Sequence, residues 1–301
     1  MKPLLRPLSG LICLSLAACS ALPFFGPTGT PLPPTASPAP PTPTSPPLAA
    51  SVNGQGISLA DYQAEITRFE SAQKASGTDL ATLGDYKKQV LDSMIDLQLL
   101  AQGAEQAGIQ VSDADVSSQI DKLASEIGGR EAVGAWLASN DYDVRSFDSA
   151  LKVEMLAAAM VDKITSQVPE SAEQVHARHI LVATQSQAED LHQQLANGAD
   201  FVTLAVENSL DLSTRPAGGD LGWFPKGYLT MPQIEQAAFE LQPGQISDVI
   251  QTPIGYDIVE VVERGDHPLS PDARRKLQAN AVQSWLATQR QQAHIEMFVN
   301  P

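Results

Sequence analysis

Residues 215–227 read RPAGGDLGWFPKG: four glycines among thirteen residues, with a Trp-Phe pair and two prolines beside them. Glycine belongs where backbone takes dihedrals closed to other residues or must approach a partner closely. The adjacent aromatics supply apolar area. Taken alone, the stretch reads first as a turn leading into an ordinary core strand, so its neighbours decide.

Upstream, VHARHILVA (175–183) is β-rich and partly alternating. It predicts a strand, followed by a helix over 186–197 closed by Gly198 and a second over 201–208 capped by Asp200. Downstream, a helix is expected over 232–240, then two strands, QISDVIQ (245–251) and YDIVEVVE (256–263). The order is β-α-α-(β)-α-β-β, an α+β unit of about 95 residues, within the usual domain range. His176 and His179 lie three apart, so on an extended strand they point to opposite faces and cannot pair as metal ligands. His192, His267 and His294 are isolated and read as surface residues.

Farther out the pattern is helical. Ser58 with Asp61, and Ser112 with Asp115, have the spacing of capped helix starts. Val90, Leu91, Met94, Ile95, Leu97 and Ala101 recur at helical spacing in a helix over about 84–107. Gly128-Gly129 stops the helix begun at Ser112. Two more helices follow, the last ended by Pro169. Ser270 and Pro271 open a final helix to about 293. HIEMFV (294–299) then predicts a short strand able to pair near Val52, which makes the helical module discontinuous in sequence.

Lys2 and Arg6 precede an apolar run, LSGLICLSLAA (8–18), too short for a permanent bilayer span and of signal-peptide length. It ends at LAAC, which resembles a bacterial lipoprotein processing site. That resemblance implies lipidation of Cys19, anchoring to a membrane through acyl chains, and a folded body on the extracytoplasmic side of a bacterial cell envelope. With Cys13 removed in the signal, Cys19 is the one remaining thiol, which excludes a disulfide framework or thiolate metal cage. Residues 23–48 hold 11 of the 22 prolines, and no charge occurs between Pro7 and Ala60. Such composition favours extended polyproline II, a stalk reaching roughly 80 Å. Nineteen Lys+Arg against 35 Asp+Glu give a net charge of −16, which argues against nucleic acid as a partner.

Four stretches in order resemble a parvulin-type peptidyl-prolyl isomerase domain: HARHILVAT (176–184), GGDLGWFPKG (218–227), EQAAFELQPGQISDVIQT (235–252) and GYDIVEVVER (255–264). The flanks VNGQGISLADYQ and VLDSMIDLQLLAQGAEQAGIQVSDADV, with the C-terminal helix, resemble the chaperone module of SurA/PrsA-like foldases. The resemblance implies an α+β architecture in which a parvulin domain, a four-stranded antiparallel sheet with helices, is inserted at 173–266. A helical module would occupy 49–172 and 267–301, after a signal at 1–18 and a linker at 19–48.

The resemblance also carries over residue by residue. His179 matches an active-site histidine, Asp211 a position holding Cys or Asp, and Thr252 the hydroxyl before the last strand. Leu221, Leu229, Ile234 and Phe239 match a proline pocket, and one extra residue leaves open whether Leu229 or Met231 fills one of its positions. GYDI stands where the family usually reads GYHI, so Asp257 replaces a second histidine. A carboxylate there can orient His179 and favours its charged form. The reaction so implied, rotation about a prolyl amide, breaks no covalent bond. It needs only tighter binding of the twisted amide than of the planar one, with no metal or cofactor. The implied partners are unfolded, proline-containing polypeptides. The alternative is a noncatalytic holdase with a degenerate parvulin domain.

Overall fold

A computed structural model describes residues 46–140 and 142–300. The expected signal, Cys19 and nearly all of the proline-rich stalk lie outside these residues. Among the described residues no helix is long and apolar enough to cross a membrane.

The chain opens with strands β1 (Leu48–Val52) and β2 (Gln55–Ser58), joined at Asn53-Gly54, both with positive φ. Helices α1 (Leu59–Ala75), α2 (Tyr86–Gln106), α3 (Asp113–Ile127), α4 (Arg130–Ser139) and α5 (Val144–Thr165) follow. The serine starts behave as read: Ser58 accepts from the Asp61 amide, and Ser112 and Asp115 form a reciprocal capping box. Helix α5 ends at Thr165, four residues before Pro169; the proline disfavours helical geometry at Val168 and so bars any further continuation.

Strand β3 (Ser171–Val182), helices α6 (Gln185–Ala196) and α7 (Phe201–Asn208), strand β4 (Asp220–Pro225), helix α8 (Pro232–Glu240), and strands β5 (Ile250–Thr252) and β6 (Gly255–Pro268) complete the second sheet, antiparallel in the order β4-β3-β6-β5. Two sequence expectations are corrected here. QISDVIQ is not a continuous strand: only 250–252 joins the ladder, with one isolated bridge at Ile246. The Ser247 hydroxyl accepts the Val259 amide at 2.9 Å and interrupts the regular pairing. Conversely, the last strand, expected over 256–263, runs on through RGDHP (264–268) in register with Ser171–Val175.

Period-two alternation gives this sheet two apolar faces. Ile180, Val182 and Ile258 pack under α6 and α7 with Leu191, Phe201 and Leu204. Val175, Ala177, Val259 and Val261 pack under α8 with Phe224, Ile234 and Ala238. Helix α9 (Pro271–Gln292) and strand β7 (Ile295–Met297) then return the chain to the first sheet, where β7 pairs antiparallel with β1 through Val52 and Ile295. The return is fixed by Arg290, whose guanidinium donates to Asp96 at 2.6 Å and Asp92 at 3.2 Å on α2, and by Val282, buried against α2 and α5.

Candidate active site: a histidine between two carboxylates

His179 and Asp257 come together through register. Leu181 faces Asp257 across β3 and β6, and His179 faces Val259. His179 and Asp257 are therefore diagonal neighbours on the α8 side of the sheet, within side-chain reach. His179 Nδ1 lies 2.8 Å from Asp257 Oδ1, with the residues 5% and 0% exposed. On the other side of the ring, Nε2 lies 2.9 Å from Asp211 Oδ2 and 3.1 Å from Thr214 Oγ1. Thr252 Oγ1 sits 3.1 Å from both Asp257 Oδ2 and the Gly255 carbonyl. The four polar residues singled out by sequence thus form one connected network. His176 lies apart from it, bonded to Asp220 at 2.7 Å.

The loop 209–214 is held by groups the sequence reading passed over. Leu210 N–H donates to the Leu181 carbonyl at 2.7 Å, and the Ser209 hydroxyl accepts from the Leu181 amide. Ser213 donates through both amide and hydroxyl to Asp211 Oδ1, and Thr214 donates its hydroxyl to Oδ2. Asp followed two residues on by Ser is the signature of a side chain closing its own turn, so DLST carried a local signal for this arrangement.

Electrostatics follow from the geometry. Burial of the His179 ring works against its charged form, but hydrogen bonds and charge from Asp257 and Asp211 outweigh it and raise the ring above its ordinary pKa. Both nitrogens then donate, one to each carboxylate. Burial likewise works to raise Asp211, yet hydrogen bonds from Ser213, Thr214 and His179 hold its carboxyl well below the usual range.

The glycine stretch packs onto this centre. The Gly219 carbonyl accepts the His179 amide at 2.9 Å, and a Cβ on Gly219 would stand 2.1 Å from the His179 carbonyl oxygen. With φ at +79°, no other residue fits.

Of the apolar candidates, Ile234 lies in the core itself at 3% exposed, while Leu221, Leu229, Met231 and Phe239 pack against that core from half-buried positions. Glu235, unremarked in the sequence, holds their loop: its buried carboxylate accepts the amides of Gly227, Tyr228 and Leu229 at 2.7, 2.9 and 3.0 Å. Glu235→Ala strands these three donors. It should cost about 2 kcal/mol, read as a lower urea midpoint at unchanged slope, with Glu235→Gln recovering part of the loss.

Residues 162–263 match the family model of the PPIC-type PPIASE domain, and residues 8–161 match that of the SurA-like N-terminal domain. The foldase protein PrsA of Caldanaerobacter subterraneus subsp. tengcongensis is 34% identical over 232 residues, covering 71% of this chain and 72% of that protein. Foldase protein PrsA 2 of Bacillus anthracis is 31% identical over 219 residues, covering 70% and 75%. The crystal structure of the peptidylprolyl isomerase PrsA from Bacillus anthracis is similar with a TM-score of 0.43 at 29% identity, covering 65% of this chain and 89% of that one. The chain belongs to the family of PrsA-like foldases, which join a SurA-like N-terminal domain to a PpiC-type peptidyl-prolyl isomerase domain.

Proposed function

We propose that the chain is a peptidyl-prolyl isomerase and foldase acting on unfolded, proline-containing polypeptides outside the cytoplasm, tethered to a membrane by a lipid on Cys19. The isomerase unit is assigned to 173–266 and the chaperone module to 49–172 with 267–301. The observation that carries the catalytic reading is His179 bridged by hydrogen bonds to Asp257 and Asp211.

Resonance in a planar prolyl amide adds negative charge to its oxygen and positive charge to its nitrogen; twisting removes that added share. A fixed anion beside the carbonyl disfavours the planar form and so lowers the barrier to rotation. Asp211, kept ionised by Ser213, Thr214 and His179, is placed in that role. Asp257 and Thr252 act as positioning residues, fixing the imidazole from its far side. Leu221, Leu229 or Met231, and Phe239 grip the proline ring, with Ile234 packed behind them.

The test is prolyl exchange by NMR on a short proline peptide with full-length protein: catalysis that falls in Asp211→Ala supports the assignment, and a rate equal to background removes it. A titration belongs beside it. His179 binds its proton more tightly in the folded chain than in the unfolded one. Its contribution to stability is therefore complete below about pH 6.5, the ordinary histidine value, and is lost as pH rises through the raised folded value. The imidazole resonances of His179 should titrate above the ordinary histidine value of about 6.5; a midpoint at or below it contradicts the two-carboxylate clamp.

A second reading, binding without turnover, draws on a cavity of about 460 Å³ among α3, α4 and α5, lined by Val116, Ile120, Val133, Leu137 and Phe147. Suppression of client aggregation by an isomerase-dead Asp211→Ala variant favours this role for the helical module.

A further inference from the structure

The loop between β4 and α8 carries Leu229 and Met231, and two separate elements hold it. Glu235 of α8 accepts its amides, that of Gly227 among them. The Gly227 carbonyl in turn accepts from Asn280 Nδ2 at 2.7 Å, across 53 positions of sequence. Asn280 lies on α9, and Leu277, one turn earlier on the same face, lies against the loop as well: a Cβ on Gly227 would stand 3.3 Å from its Cδ2. Among the described residues, Asn280 makes the one side-chain hydrogen bond from α9 to residues 173–266.

Helix α9 is itself seated on the helical module. Val282 and Trp285 pack with Leu100 of α2 and with Leu156 and Met160 of α5, and Arg290 bonds to Asp92 and Asp96. The donor to the Gly227 carbonyl is therefore placed by the helical module, while the acceptor of the Gly227 amide is placed by the isomerase sheet and its helix. A loop bonded to both takes its position from both.

We infer that Asn280 is a positioning residue for proline binding: through Gly227 it sets the loop that holds Leu229 and Met231, and so ties the grip on the client's ring to the seating of α9 on the helical module. This rests on the isomerase reading of the same centre. Asn280 acts on the loop and not on the rotating amide. Its bond to Gly227 is the same whether that amide is planar or twisted, so it serves ground state and transition state alike. Its loss therefore shows in affinity and not in the rotation step.

The experiment uses full-length protein and the peptide Ala-Leu-Pro-Phe, titrated by NMR for its dissociation constant and for prolyl exchange at saturation. Asn280→Ala, and Asn280→Asp, which keeps the shape but removes the donor, should each weaken binding about fivefold, the worth of one hydrogen bond. Exchange in the saturated complex should stay within about twofold of wild type, and the Gly227 carbonyl carbon should shift to lower frequency in both variants. Ile57→Ala, in the core under the first sheet where the loop has no part, is the control: it should lower the urea midpoint and leave binding unchanged. Equal weakening in all three variants, or unchanged binding in both Asn280 variants, overturns the positioning role and leaves the isomerase reading standing. Wild-type binding without exchange, weakened in the Asn280 variants alone, supports the role and overturns the catalytic reading. No binding by wild type overturns both.

Discussion

Gly219→Ala should unfold or displace the sheet around His179, with a loss of about 4 kcal/mol or more. The reason is specific to the position. A methyl group there would stand 2.1 Å from a backbone oxygen of β3, and backbone in a central strand cannot yield as the tip of a side chain can. The same residue holds φ at +79° and accepts the His179 amide, so relief of the clash breaks the bond that positions the imidazole. Gly222→Ala supplies the contrast. It also has positive φ, at 67°, but open space where the methyl would go. It should cost only the dihedral strain, about 1–2 kcal/mol. Chemical denaturation of both variants separates the two effects; similar losses would count against the close approach.

Asp257→Ala should have the second large effect, on stability and turnover together. The side chain is fully buried and contacts both His179 and Thr252. Removing it leaves a charged imidazole facing a void and a hydroxyl without its carboxylate. Loss of one partner from a buried ionic pair costs about 3–5 kcal/mol. Prolyl exchange should fall on the order of 10²-fold, since a catalytic group shifted by about 1 Å loses that much. Asp257→Asn keeps the shape without the charge, and its His179 should titrate lower than in wild type while the fold survives. Unchanged turnover in both variants would remove Asp257 from the site and leave it a packing residue.

These two positions also mark what the sequence could and could not reveal. Helix boundaries and caps were legible because their causes are local: Ser58, Ser112 with Asp115, Asp200 and Ser270 each bond within three residues of themselves. The pairing of the last strand with the first was legible from pattern, as two short apolar runs lacking other partners. The interruption at Ser247 and the extension of β6 to Pro268 were not, because a ladder is made or broken by its partner strand. Glu235 was invisible for a related reason: its value lies in three amides of a loop that returns beside its helix.

The residue types of the site, its helices and the need for glycine at 218–219 were set by the sequence alone, since propensity, capping and dihedral freedom act over a few residues. Tertiary structure decided that His179 meets Asp257, 78 positions away, and Asp211, 32 positions away, on opposite edges of one ring. That meeting depends on strand register, where a slip of one residue turns every side chain to the other face, and register is fixed by the packing of both faces of the sheet at once.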